Sequence, residues 1–335
     1  MRPARSRPAI IGAMAALLVS GFAYAAPPSG FEHRVATLRA QAGIPGMAVT
    51  IVENDTVTLA RGFGTRALGK PDAVDADTLF QTGSTGKAFT VAALGILVDA
   101  GKLSWDDKVT DRLPGFQMYD PWVTREMTLR DLLVHRSGLG LGEGDLLFVP
   151  RTNLSRAESV RRLRYLKPAT SFRSGFAYDN VLYMVAGQLI EAVTGETWEK
   201  FTAEHVLRPA GMLHSTTSEE ARLATVNRAQ PHARMNGGLR GAGDQELLEE
   251  RDGLGRNGAP AGGLAVSAND MARWLLIQLH DGELPEHSGR LFSQAAHREM
   301  WTPVVPQPIS PKSGVLKPTE PQFSEYALGW EVQDY

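Results

Sequence analysis

The chain has 335 residues, no cysteine, 43% hydrophobic residues and a formal net charge of −2. That composition supplies a core for one or two globular domains and excludes disorder as the main state. It also excludes the basic footprint of a nucleic-acid binder and any disulfide framework, so packing must provide the stability. At the start, Arg2, Arg5 and Arg7 precede an apolar run from Ala9 to Val19, and small residues follow up to Ala23-Tyr24-Ala25. This pattern predicts an export signal over residues 1–25, cut after Ala25, and a periplasmic or secreted bacterial protein. The apolar run is short for a membrane span, so no stable span is expected after cleavage, with an uncleaved anchor as the alternative.

A helix is expected from Phe31 to Gln41, followed by a hairpin in "GMAVTIVENDTVTLARGFG", whose apolar residues alternate around Asn54-Asp55. "TLFQTGS" is a short extended approach, and from Ser84 the pattern turns helical, with Phe89, Ala93, Ile96 and Leu97 on one face and Gly101 as its stop. From there to about residue 225 the chain reads as mostly helical. Thr128-x-x-Asp131 and Ser155-x-x-Glu158 resemble capping boxes, and residues 181–195 form an apolar helix closed by Gly195. Nine glycines between residues 236 and 263 suggest a long mobile loop. A helix from Ser267 to about Leu279 comes next. Six prolines between residues 303 and 321 precede "YALGWEV" (326–332), which reads as a strand. Strands at both ends and helices between them give an α/β (α+β) chain. Residues 26–100 and 255–335 form its sheet domain, and residues 101–254 a mainly helical domain.

The stretch "QTGSTGKAFT" (81–90) poses a choice between two chemistries. A phosphate-binding loop needs Gly at the position of Gln81 and Ser or Thr at that of Ala88, and both requirements fail. A nucleophile elbow fails at Thr82. No zinc motif occurs among the eight histidines. Ser84-x-x-Lys87 remains: residues three apart share a helical face, so the lysine can reach the serine hydroxyl at a helix start that favours negative charge. Taken alone, the same letters also fit a serine cap followed by a surface lysine. Further on, Tyr178-Asp179-Asn180 stands just before the apolar helix. Tyr178 could relay the Ser84 proton, and Asn180 could bind a substrate amide. A buried tyrosine beside a capping asparagine is the plain alternative.

These pieces, with "LRDLLVHRSGL", "LRPAGM" and "PAGGLAVSANDMARWL" in the same order, resemble the serine hydrolases that group class C β-lactamases with penicillin-binding D-Ala-D-Ala carboxypeptidases, esterases and aminopeptidases. The resemblance covers most of residues 31–335. It implies an antiparallel sheet flanked by helices, a second helical domain, and a site between the two. It implies Ser84 as the acylated nucleophile, Lys87 and Tyr178 sharing proton transfer, and Asn180 binding substrate. Lys87 would act either as a neutral base or as a cation that lowers the Tyr178 pKa. The substrate would be a small molecule or a peptidoglycan-like peptide carrying an amide, β-lactam or ester, with rim loops at 137–152 and 232–260 setting the choice. No metal or organic cofactor is implied. His135-Arg136-Ser137-Gly138 is expected to fix a helix end, and Gly262-Gly263 to permit close backbone packing.

The family's third motif, Lys-Thr-Gly or His-x-Gly on a strand, normally follows a segment such as "YALGWEV", and no such motif follows it up to Tyr335. On this reading the C-terminal strands are missing and activity is impaired, which leaves a non-turnover penicillin-binding protein or an inactive homologue as alternatives. Lys312-Ser313-Gly314 and His287-Ser288-Gly289 carry similar letters in poor strand settings. The oligomeric state is open.

Overall fold

A computed structural model describes residues 26–335 except Arg240, residues 251–253 and Tyr335, so the expected export signal lies outside the described residues. Helix α1 (Phe31–Gln41) leads into β1 (Gly46–Glu53) and β2 (Thr56–Gly64), an antiparallel pair with Gly46 opposite Gly64. Asn54 and Asp55 turn the hairpin with φ of 48° and 63°. Short polar side chains tolerate that left-handed backbone, and its twist matches the strands.

β3 (Phe80–Gln81) delivers the chain to one 3₁₀ turn at Gly83–Gly86, which runs straight into α2 (Lys87–Asp99). Ten of the 13 residues of α2 are buried, so this helix is the centre of the molecule rather than an amphipathic surface element. It stops where expected, with Gly101 at φ 66°.

From there to residue 225 the described elements are helices. Thr128 and Asp131 complete both bonds of a capping box, whereas Ser155 makes only the forward bond to the Glu158 N–H. Asp131 is fully buried and accepts from Arg136 at 2.6 Å and Arg173 at 2.5 Å. Backbone bonds from Arg173 to the Arg136 carbonyl and from Ala177 to the His135 carbonyl, each 2.7 Å, run alongside. A strap from Arg173 to Tyr178 is thereby lashed to residues 135–136 just before it enters the Val181–Thr194 helix. That helix ends at Gly195 (φ 74°) as its sequence indicates. At Gly187 a Cβ would lie 2.4 Å from Pro260, so the missing side chain is what lets the 259–261 turn approach the helix.

Two segments differ from their sequence readings. The glycine-rich stretch, and with it part of the stretch read as mainly helical, contains a hairpin of β4 (His232–Asn236) and β5 (Gly243–Leu247), then a helical turn at Gly255–Gly258. Some of its glycines permit close approach: at Gly258 a Cβ would sit 2.7 Å from Phe148. β6 (Ala265–Val266) then pairs antiparallel with β3, and Ser267 caps the Ala268–Leu279 helix. That helix lies on the first hairpin, where Thr50 donates its hydroxyl to the Ala268 carbonyl at 2.7 Å. The second difference is "YALGWEV". β7 (Val305–Pro306), β8 (Ser324–Tyr326) and β9 (Glu331–Gln333) form one antiparallel sheet, and Gly329 at φ 76° breaks the expected strand into a hairpin.

Among the described residues the paired strands are antiparallel and the Ala268–Leu279 helix packs on the first pair, so the fold is of the mixed class expected. One apolar cluster joins α2, the Val181–Thr194 helix, Trp274, Met300 and Leu328. Phe89 stacks on Trp274 at 4.1 Å between ring centroids. Each large side chain buried there contributes about 1.5–3 kcal/mol from removal of apolar surface. Among the described residues, no helix is long and apolar enough to cross a membrane.

Candidate active site

Ser84 sits in the 3₁₀ turn ahead of α2, not inside the α-helix. Such a turn has about three residues per turn, so residues i and i+3 lie on the same side, and Lys87 falls directly beneath Ser84. The Lys87 Nζ is 3.2 Å from Ser84 Oγ, 2.8 Å from Tyr178 Oη, 2.8 Å from Asn180 Oδ1 and 3.0 Å from the Ala261 carbonyl. Tyr178 Oη is 2.6 Å from Ser84 Oγ. All four residues picked out from the sequence thus meet in one hydrogen-bonded group. Ser84 is exposed and Lys87 fully buried, so the group has an open face and a closed floor.

The partners of Lys87 constrain its proton count. Asn180 Oδ1 and the Ala261 carbonyl can only accept, so each takes one N–H. A charged amine has one N–H left for Tyr178 and Ser84; a neutral amine has only a lone pair there. Burial pushes Lys87 down to about 8, against the attraction of Asp179 and Asp145. The neutral, accepting form is therefore within reach near neutral pH. Burial pushes Tyr178 the other way, upward, opposed by its Ser84 bond and reinforced by Asp179 and Asp145. The balance keeps Tyr178 a phenol.

Beneath the site, His135 is fully buried with φ 56°, and its ring lies 4.2 Å from that of Tyr178. Its Nδ1 accepts from the Asp179 N–H at 3.2 Å, and burial holds its pKa below the ordinary value, so the ring is neutral. Asp179 accepts from the Leu182 N–H and from the Ser137 hydroxyl, each at 3.1 Å. The His135–Gly138 segment therefore fixes the start of the Val181–Thr194 helix, as expected of it. Gly262 presses on the nucleophile turn: a Cβ there would meet the Gly83 carbonyl group at 2.8 Å.

One neighbour has no sequence signal. Asp145 faces Asn180, whose Nδ2 donates to its two carboxylate oxygens at 3.3 and 3.4 Å. Gly144 brings it there: it has φ 80°, and a Cβ would lie 2.6 Å from Leu166 and 2.8 Å from Val181. Neither Lys312 nor His287 stands on a strand. The Lys312 ammonium donates to Thr319 at 2.6 Å within its own loop, and His287 pairs with Glu283 at 2.6 Å.

Residues 31–335 match the Beta-lactamase family, and the chain belongs to it; its members are serine hydrolases. The chain is similar to the unguisins hydrolase ungD' of Aspergillus campestris, with 31% identity over 87% of this chain and 52% of the relative. It is also similar to penicillin-binding protein 4 of Amycolatopsis lactamdurans, with 29% identity over 91% of this chain and 75% of the relative. It therefore spans about half the length of the first relative and three quarters of the second. The octameric penicillin-binding protein homologue from Pyrococcus abyssi shares the fold, with a TM-score of 0.71, 23% identity, and coverage of 90% of this chain and 64% of that one.

Proposed function

We propose that this protein is an exported serine hydrolase that opens an amide, β-lactam or ester bond through an acyl-enzyme on Ser84. The observation that carries the proposal is the buried Lys87 amine, 2.8 Å from Tyr178 and 3.2 Å from Ser84, with its other two partners able only to accept. With neutral Lys87, the Ser84 proton moves to Lys87 through Tyr178, which gives one proton as it takes another. Ser84 Oγ then bonds to the substrate carbonyl carbon, and the carbonyl pair becomes an oxyanion. The N–H groups at the start of a helical run and the helix dipole favour that charge. Collapse expels the amine or alcohol, which takes the proton back through Tyr178. Water attacks the ester by the same relay and frees Ser84. The names of the relatives, a hydrolase and a penicillin-binding protein, agree with this class of carbonyl substrate. Export rests on the arginines, apolar run and Ala23-Tyr24-Ala25 of the first 25 residues.

The test is labelling with a fluorescent fluorophosphonate or penicillin. The probe is expected on Ser84 and absent from a Ser84→Ala variant that melts like the parent. Equal labelling of that variant would remove Ser84 from the mechanism.

A further inference from the structure

The chain supplies a carboxylate at this site that the proton relay does not use. Asp145 is half-buried beside Asn180. Among the described residues no Lys, Arg or His lies within ion-pair distance of it, although most carboxylates buried to this degree here have such a partner; Asp131 has two. A carboxylate withdrawn from water without a cation is costly unless something else neutralises it. The cation that acts on it is Lys87, only through space and only while that amine is charged, and the charge of Asp179 opposes it.

The Asn180 amide defines where a ligand cation would sit. Its Oδ1 accepts from Lys87 at 2.8 Å and its Nδ2 donates to Asp145, so the flanking groups fix the amide orientation and leave one N–H unused. Tyr178 touches Ser84 directly at 2.6 Å and must return the proton to the departing group, so the leaving group belongs on the Tyr178 side. The acyl part of the substrate then lies toward Asn180 and Asp145. Resting on the reading of Ser84 as nucleophile, we propose that Asp145 is a specificity-determining residue that receives a protonated amine on the acyl part of the substrate. The preferred substrates are aminoacyl amides or esters with a free amino group.

The experiment compares kcat/KM for alanine p-nitroanilide and for N-acetylalanine p-nitroanilide, in both hands, in the parent, Asp145→Asn and Asp145→Glu. The parent is expected to prefer the free amine. The preference ratio is expected to fall at least about 10-fold in Asp145→Asn, the scale of one charge-assisted hydrogen bond, and to survive largely in Asp145→Glu. If Asp145 only orients Asn180, both substrates lose rate equally in Asp145→Asn and the ratio stays constant, which overturns the inference alone. If no substrate reacts and the fluorophosphonate does not label Ser84, the nucleophile reading fails and this inference falls with it.

Discussion

Two aspartates, Asp131 bonded to the strap and Asp145 bonded to Asn180, are handled in opposite ways. Asp131, below the strap, is the more deeply buried, and burial alone would raise its pKa; bonds from Arg173 and Thr128 and the charge of Arg136 overturn that and hold it low. Asp145, on the loop side, is less buried, yet burial prevails and its pKa is raised, because only an Asn180 bond and the more distant Lys87 oppose it. Degree of burial therefore does not decide the direction of the shift; the presence of a cation in contact does. A fully paired carboxylate holds two chain segments together, and one left without a cation at an open site is available to a ligand.

The largest expected effect falls on Lys87, which senses Asp145 but not Asp131. Lys87→Met is expected to slow acylation of Ser84 by at least about 10²-fold, the usual loss for a general base. The rate of Ser84 phosphonylation by the fluorophosphonate reports the same activation of the hydroxyl, and an unchanged rate would return Lys87 to a structural role. Next comes stability. Asp131→Ala is expected to cost about 2–3 kcal/mol in urea unfolding, because it removes the capping box and the shared partner of two arginines. Asp145→Asn is expected to change stability by less than about 1 kcal/mol, since it relieves an uncompensated charge. Equal losses would break the comparison. The smallest effect is electrostatic. Asp145 helps hold the Lys87 proton, so Asp145→Asn is expected to move the midpoint of the acylation pH profile below about 8, while Asp131→Asn leaves it in place.

The same contrast explains what could be read from the sequence. Ser84 and Lys87 were legible because three residues along a helical turn is a local relation, insensitive to the rest of the fold. Tyr178 and Asn180 were legible only through the order of motifs, since nothing in their spacing requires them to face Ser84. Asp131 was visible as a capping residue but not as the anchor of Arg173, a contact made only when the strap folds back. Asp145 left no trace, because it lies after Gly140, Gly142 and Gly144 in a loop without periodicity. The β4 and β5 hairpin was hidden for a related reason. "HARMN" and "GDQEL" are largely polar and solvent-facing, so no apolar alternation marks them as strands. Gly329 sits inside an apolar run, and its turn is invisible to a pattern that counts only hydrophobicity.

The most direct measurement is the rate constant for phosphonylation of Ser84 by the fluorophosphonate, with loss of fluoride, from pH 6 to pH 10. A buried Lys87 that must lose its proton before it can accept one predicts a rate that rises with pH and levels off, with its midpoint at about 8. The rise belongs to the lysine, so it is expected to vanish in Lys87→Met. A midpoint near the ordinary lysine value of about 10.4, or the same rise in Lys87→Met, would contradict Lys87 as the base.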